Sequence, residues 1–291
     1  MPDVMQTIDR IAHLRAASRQ WRASGRTIGF VPTMGALHAG HRSLVERARA
    51  ECDIVVASIF VNPLQFGANE DLSRYPRDLA GDQALLRAAG TDALFVTTPA
   101  EMYPPGFETH VVPGALAEPL CGASRPGHFR GVLTVVAKLF HLVAPHVAYF
   151  GQKDFQQARL LQRMVADLDF DLVVRILPTL RDADGLAMSS RNRYLSAAER
   201  ALAPALPRAL RAIGAAFDAG ERRSATLVGI GKAALAREPA FRVDYLEVRD
   251  DEALAAPEEL GAGGVVAAAA FLGTTRLIDN LLLGAAARRL G

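Results

Sequence analysis

Phe30-Val31-Pro32-Thr33-Met34-Gly35-Ala36-Leu37-His38-Ala39-Gly40-His41 is the stretch from which the rest of the chain is read. A short apolar run, Thr27-Ile28-Gly29-Phe30-Val31, leads into it. Behind it, residues 43–50 carry apolar side chains at helical spacing, and residues 53–61 form a second apolar run of strand length. The order is strand, glycine-containing turn, helix, strand, which is one βαβ unit. His38 and His41 sit where the helix should begin. A helix start offers free backbone N–H groups and a partial positive charge, which suits a phosphate. Gly35 and Gly40 let the backbone come close to a ligand, and two imidazoles add donors that can follow charge developing on phosphate oxygens. Two histidines at this spacing could also be half of a zinc site. Cys52 and Cys121, however, are far apart in sequence and supply no matching ligand pair.

Working outward, residues 7–23 read as an amphipathic helix closed by Gly25. The second strand of the unit runs into Val61-Asn62-Pro63-Leu64-Gln65-Phe66-Gly67. In open α/β sheets ligands bind beyond the carboxyl ends of strands, so the amides of Asn62 and Gln65 fall where a carboxylate or hydroxyl would sit. A polar turn around Pro63 is the plainer alternative. A helix over 79–89, a strand over 93–96, a loop over 99–105 and a small hairpin or flap near 109–112 follow. Ser124-Arg125-Pro126-Gly127-His128-Phe129-Arg130-Gly131 makes a positive patch ahead of a buried helix over 132–143. Residues 146–150 read as a strand ending in Gly151-Gln152-Lys153-Asp154-Phe155-Gln156-Gln157, with a helix over 158–168. Lys153 can neutralise phosphate, while Asp154 can cap the helix or meet ribose hydroxyls. A fifth strand over 172–177 leads to Leu180 and the loop Met188-Ser189-Ser190-Arg191.

From Ser196 the pattern changes. Ser196-Ala197-Ala198-Glu199 reads as a capping box, opening a helix that Pro204 and Pro207 bend or divide. A helix over 224–237 and strands over 241–248, 265–272 and 275–283 follow. The last two strands have no helix between them, which predicts an antiparallel sheet. The expected fold class is therefore α/β: a Rossmann-like parallel sheet over 1–179 and a smaller α+β domain over 180–291, read as a lid and packing unit.

The bulk numbers agree. The 291 residues are 50% hydrophobic and 22% charged, with a formal net charge of +2. No basic run points to nucleic acid, and no apolar stretch is long enough to span a membrane. The first residues have neither the basic start nor the apolar core of a leader, and the two cysteines imply a reduced, cytoplasmic setting.

The His38–His41 string resembles the H-x-G-H signature of the nucleotidylyltransferase superfamily, and the longer run from Pro32 to His41 is similar to that of the pantothenate synthetase family. The Asn62 and Gly151 turns recur in order, and Met188-Ser189-Ser190-Arg191 resembles the K-M-S-K-S loop of the superfamily without its lysines. The resemblance implies ATP-dependent, Mg²⁺-assisted joining of pantoate to β-alanine through a pantoyl adenylate, with AMP and pyrophosphate released by a homodimer. It implies that Met34, Gly35, Ala36, Leu37, His38, Ala39, Gly40 and His41 line the triphosphate. Gly151, Gln152, Lys153, Asp154 and Leu180 would meet ATP, and Met188, Ser189, Ser190 and Arg191 would close over its phosphates. Gln65, Gln157, Asn62 and His128 would serve pantoate or β-alanine. The catalytic set would be His38, His41, Lys153, Ser189, Ser190 and Arg191. Asp82 becomes a candidate magnesium ligand, although helical spacing alone makes it a surface carboxylate. A transferase acting on phosphate esters should instead show lysines and arginines where this chain has neutral amides, and a nucleotide sensor should lack the lysine or the histidines.

Overall fold

A computed structural model describes residues 5–68 and 70–286; the first four residues, read above as carrying no leader, lie outside them. The chain divides into two compact units. The first holds Met1–Gly114, Arg125–Gly151 and Gln157–Ile176; the second holds Ala115–Ser124, Gln152–Gln156 and Leu177–Gly291.

The first unit is built on a six-stranded parallel sheet. In chain order its elements are β1 (Gln6–Ile8), α1 (Ile11–Ala23), β2 (Ile28–Thr33), α2 (Ala39–Glu51), β3 (Ile54–Ile59), α3 (Leu79–Ala88), β4 (Ala93–Val96) and α4 (Pro99–Met102). After α5 (Cys121–Ser124), which belongs to the second unit, come α6 (His128–Val143), β5 (Val147–Gly151), α7 (Phe155–Asp167) and β6 (Val173–Leu177). The strand order is β1-β4-β3-β2-β5-β6. β2 therefore has β3 on one side and β5 on the other, and the order reverses at the carboxyl end of β2. That is the switch point at which such sheets bind ligands, and it is where the two histidines follow.

β2 and β3 read as unbroken apolar runs because parallel strands are covered on both faces: Ile28, Phe30, Val31, Val55, Val56 and Ala57 have no exposed surface. Gly29 lets α2 lie close against β2, since a Cβ there would stand 3.0 Å from Cys52 Sγ and 3.2 Å from the Ala48 Cβ. Three local expectations change. Residues 6–8 pair with β4 as a strand instead of starting α1. Pro99–Met102 is a short helix capped by Thr98, not a loop. The segment near 109–112 forms no strand; the Val111 N–H donates to Thr134 Oγ1 on α6 instead.

The second unit carries α8 (Ala197–Leu202), α9 (Ala205–Asp218) and α10 (Ser224–Leu235) with the antiparallel sheet β7 (Phe241–Arg249), β8 (Gly263–Leu272) and β9 (Thr275–Gly284), in the order β7-β8-β9. Pro204 divides the predicted helix into α8 and α9. Ser196 and Glu199 form the capping box of α8. The central strand is buried on both faces: Val266 and Ala268 join the core under α9 and α10, while Val265 and Ala267 join a second cluster with Phe155 and Leu120. Among the described residues, no helix is long and apolar enough to cross a membrane.

Candidate active site

In the first unit the turn after β2 is fixed by its own neighbours. Thr33 Oγ1 donates to Ser58 O and accepts the Gly35 N–H. Gly35 has φ +84°, and a Cβ there would lie 3.0 Å from the Asp82 carboxylate. Ala36 also lies in the left-handed region, at φ 52°, a conformation costing roughly 1–2 kcal/mol in a residue with a Cβ. It is held there from α3: the two Asp82 carboxylate oxygens accept the Ala36 N–H at 2.9 Å and the Leu37 N–H at 2.7 Å. Asp82 is thus buried and works as a clamp on the turn. It is not the surface carboxylate that helical spacing suggests, and each of its oxygens accepts one backbone N–H.

His38 and His41 do more than stand at the helix start. His38 is the N-cap of α2; its Nδ1 accepts the Gly40 N–H at 3.1 Å, and His41 Nδ1 accepts the His38 N–H at 3.3 Å. This is a capping box written in imidazoles. Of the helix N–H groups expected to be free, that of Gly40 is taken by a side chain, and ahead of the helix those of Ala36, Leu37 and His38 are taken as well. The consequence is chemical. With Nδ1 accepting, each neutral ring carries its proton on Nε2. The rings stand 4.2 Å apart between centroids. The turn therefore presents imidazole N–H donors where bare backbone was expected.

The turn after β3 follows the same logic. Asn62 is 1% exposed, and its amide is fully used. Its Nδ2 donates to Gln65 Oε1 and Gly131 O, while its Oδ1 accepts from Leu64 N and from the Tyr103 hydroxyl. Asn62 therefore supports Gln65 and is not itself placed to meet a substrate. Gln65 Nε2 donates to the Met34 sulfur at 3.1 Å. A thioether is a weak acceptor, so a substrate oxygen would displace it at little cost.

His128 also turns inward. Its Nε2 takes a hydrogen bond from Arg125, and its Nδ1 donates to Gln65 O at 2.8 Å. Arg125 in turn forks onto Glu70, where its guanidinium holds the carboxyl below the usual carboxylate range against the opposing effect of burial. The positive patch is thus an internal brace of the Gln65 turn. Gln157 is half-buried in the first turn of α7. Gly131 escapes a sequence reading although it is essential to this packing: a Cβ there would stand 2.1 Å from Leu64 O.

In the second unit Gln152–Asp154 forms a 3₁₀ turn. Lys153 is half-buried, and desolvation lowers its pKa; Asp154 and Asp279 oppose that shift and Arg191 adds to it. Asp154 is exposed and acts on Lys153 by charge. Leu180 and Met188 are joined, Met188 N–H to Leu180 O at 3.0 Å, across a turn at Gly185. Ser189 then caps the 3₁₀ helix Ser190–Tyr194 by accepting the Arg191 N–H. The segment from Leu180 to Arg191 is therefore a structured hairpin and turn. The hydroxyl of Thr179, beside Leu180, is buried without a partner among the described residues, a donor of the kind a ligand can satisfy.

The comparisons with known proteins point to one family. The pantoate-beta-alanine ligase family model matches residues 6–282. A pantothenate synthetase of Acidobacterium capsulatum is 56% identical over 96% of this chain and 97% of its own. The crystal structure of pantothenate synthetase from Thermus thermophilus is 51% identical, with a TM-score of 0.90 over 95% of this chain and 99% of that one. A pantoate-beta-alanine ligase from Francisella tularensis, complexed with beta-gamma ATP and beta-alanine, is 33% identical, with a TM-score of 0.80 over 96% and 98%.

Proposed function

The chain belongs to the pantoate–β-alanine ligase family, and we propose that this enzyme joins pantoate to β-alanine at the expense of ATP through a pantoyl adenylate. A carboxylate is a poor acylating agent until one oxygen becomes part of a leaving group. The pantoate carboxylate oxygen attacks the α-phosphorus of ATP, the bond to the β-phosphate oxygen breaks, and pyrophosphate departs with that electron pair. The β-alanine amine then attacks the acyl carbon and loses a proton, the amide forms, and AMP leaves. Both steps need positioning and positive charge or N–H donors around phosphate more than they need a covalent intermediate on the protein.

Beyond family membership, the observation that carries this reading is the imidazole capping box. Both Nδ1 atoms are tied to backbone N–H groups, so the proton of each neutral ring sits on Nε2. His38 and His41 then act as fixed hydrogen-bond donors to phosphate oxygens. His41 stabilises charge; pyrophosphate leaves without needing its proton. Lys153, Ser189, Ser190 and Arg191 supply charge and hydroxyls to the phosphates, and Gln65 and Gln157 hold pantoate, Gln65 by releasing the Met34 sulfur.

Magnesium, when bound with ATP, would offset the charge of the phosphates. Among the described residues no group of three or more His, Cys, Asp or Glu could hold a metal ion. The homodimer and the cytoplasmic location belong to the same proposal through the family resemblance.

The test is pantoate-dependent exchange of labelled pyrophosphate into ATP, with magnesium and without β-alanine. Exchange is the expected result, with AMP release on adding β-alanine. AMP formed only when β-alanine is present, with no exchange before it, would overturn the two-step order. Failure of both reactions would overturn pantoate as the substrate.

A further inference from the structure

The mechanism leaves two buried polar residues unused, Asp279 and Asn280, each 2% exposed in the middle of β9. Neighbouring residues of a strand point to opposite faces, and the register shows it. Asp279 pairs with Ala268, whose face packs under α9 with Leu186. Asn280 pairs with Ala267, whose face packs with Phe155. The two side chains thus leave the strand in opposite directions, and each meets a different segment of the same unit.

Asn280 faces the lysine turn. Its Nδ2 donates to Gln152 O and Lys153 O, both at 2.9 Å, and its Oδ1 accepts from Gln152 Nε2 at 3.0 Å. Both N–H donors and the carbonyl are in use. Of the residues of this size, only asparagine offers that set: aspartate has no donor, and leucine has neither donor nor acceptor. Asp279 faces the other way. It accepts a two-pronged hydrogen bond from Arg181, at 2.6 and 2.9 Å. Arg181 also donates to Gly185 O and Asn280 O, and so fastens the hairpin whose arms are Leu180 and Met188. A buried carboxylate and amide cost β9 stability compared with an apolar pair. What they supply is placement.

We propose that Asp279 and Asn280 are the positioning residues of the nucleotide machinery, together fixing the backbone of Lys153 and the base of the Ser189–Arg191 segment. This rests on the reading that Lys153 and that segment handle ATP phosphates. Asp279 has a second effect. The charges that act on Lys153 are those of Asp154 on its own turn, of Arg191 on the 190–194 turn and, from the other face of β9, of Asp279, to which Arg181 is paired. Both carboxylates favour the ammonium form of Lys153, and Arg191 disfavours it.

The experiment uses the full chain and reads ATP affinity by calorimetry beside the exchange assay. Asn280→Ala should weaken ATP and raise its KM about tenfold or more, as a small misplacement of a phosphate-binding group does, with the KM for pantoate unchanged. Asp279→Asn should move the alkaline limb of the exchange rate to lower pH, because Lys153 loses a carboxylate that holds its proton. Arg181→Lys, a milder change at a partly exposed side chain, should weaken ATP in the same direction and covers the case in which Asp279→Asn does not fold. Val266→Ala, a buried change on β8 outside this network, should lower the melting temperature and leave ATP affinity as it was. The proposal falls if Asn280→Ala and Arg181→Lys fold and bind ATP as Val266→Ala does, and if the alkaline limb of Asp279→Asn stays in place. Wild-type protein that binds ATP but shows no pantoate-dependent exchange would sink the functional reading alone, because the calorimetric comparison still tests the positioning.

Discussion

The turn after β2 and the turn after β5 look alike in sequence, yet they are held in different ways. Each follows an apolar strand, and one carries two imidazoles and the other a lysine. The first is fastened partly by its own residues: His38 and His41 cap the helix they belong to, while Asp82 reaches in from α3, 45 positions on. The second is fastened at long range: the carbonyls of Gln152 and Lys153 are bound by Asn280, 128 and 127 positions on. The histidine capping box keeps that part of the placement within three residues of sequence. A remote lock makes placement depend on another element, so that the lysine turn can be loosened from β9.

The contrast breaks most severely at Asp82. Asp82→Ala leaves the buried N–H groups of Ala36 and Leu37 without acceptors and removes what holds Ala36 in its left-handed conformation. A cost of about 3 kcal/mol is expected in chemical denaturation, and a loss of exchange of about a hundredfold through a displaced histidine turn. A variant with near-wild-type exchange would show that the turn keeps its shape without the clamp. Gly131→Ala comes next. The new Cβ must push against Leu64 O, so overpacking of about 1–3 kcal/mol is expected. The KM for pantoate should rise while ATP affinity holds, since α6 braces the Gln65 turn.

The same contrast explains what could be read without coordinates. Helix and strand periods, the capping box at Ser196 and the returning strands β8 and β9 are all signals within a few residues, and the chain shows them plainly. The histidine turn is legible from its place between strand and helix and from the H-x-G-H string, while the capping box between its two histidines is not. The roles of Asn62, His128 and Asp82 were not, because polarity marks a residue as functional without saying whether it faces a ligand or a neighbour. Asn62 and His128 turn out to brace Gln65, and Asp82 braces the backbone ahead of His38. Asp279 and Asn280 left no trace at all. In a one-dimensional reading they are two polar interruptions in a strand, and only the pairing of β9 brings them to the turns they hold. β1 does not stand apart from the helix that follows it, because three residues are too few for a period to show.

A smaller effect is expected at His41 itself. Glutamine carries an acceptor and a donor on one amide, so His41→Gln can keep a bond to the His38 N–H and still offer an N–H to phosphate. Exchange within about tenfold of wild type is the expected result. His41→Ala, which removes both, should fall about a hundredfold, the usual effect of losing one donor to developing charge. Equal losses in the two variants would mean that a proton is transferred and that the first turn does more than stabilise charge. A rate for His41→Gln that also kept its pH dependence would settle the point for hydrogen bonding.

The smallest effect tests whether a local lock matters when no chemistry hangs on it. Ser196 and Glu199 cap α8 with the same reciprocal pattern that His38 and His41 use on α2: Ser196 Oγ accepts the Glu199 N–H, and Glu199 accepts the Ser196 N–H at 2.8 Å. Hydrogen bonds to the cap hold the Glu199 carboxyl below its usual range. Because its folded pKa is depressed, the stability it contributes is present above the ordinary glutamate range and is lost as pH falls through the folded value. Ser196→Ala should cost about 1 kcal/mol at neutral pH, and the difference from wild type should shrink in acid, where Glu199 is protonated in both. Exchange and ATP affinity should stay where they are. Two boxes of the same geometry would then differ only in what their side chains hold outward, N–H donors for phosphate in one and none in the other. A change in ATP affinity in Ser196→Ala would show instead that α8 transmits to the hairpin it borders, through Arg200, whose guanidinium holds Asp182 and Asp184 at 3.0 and 2.5 Å.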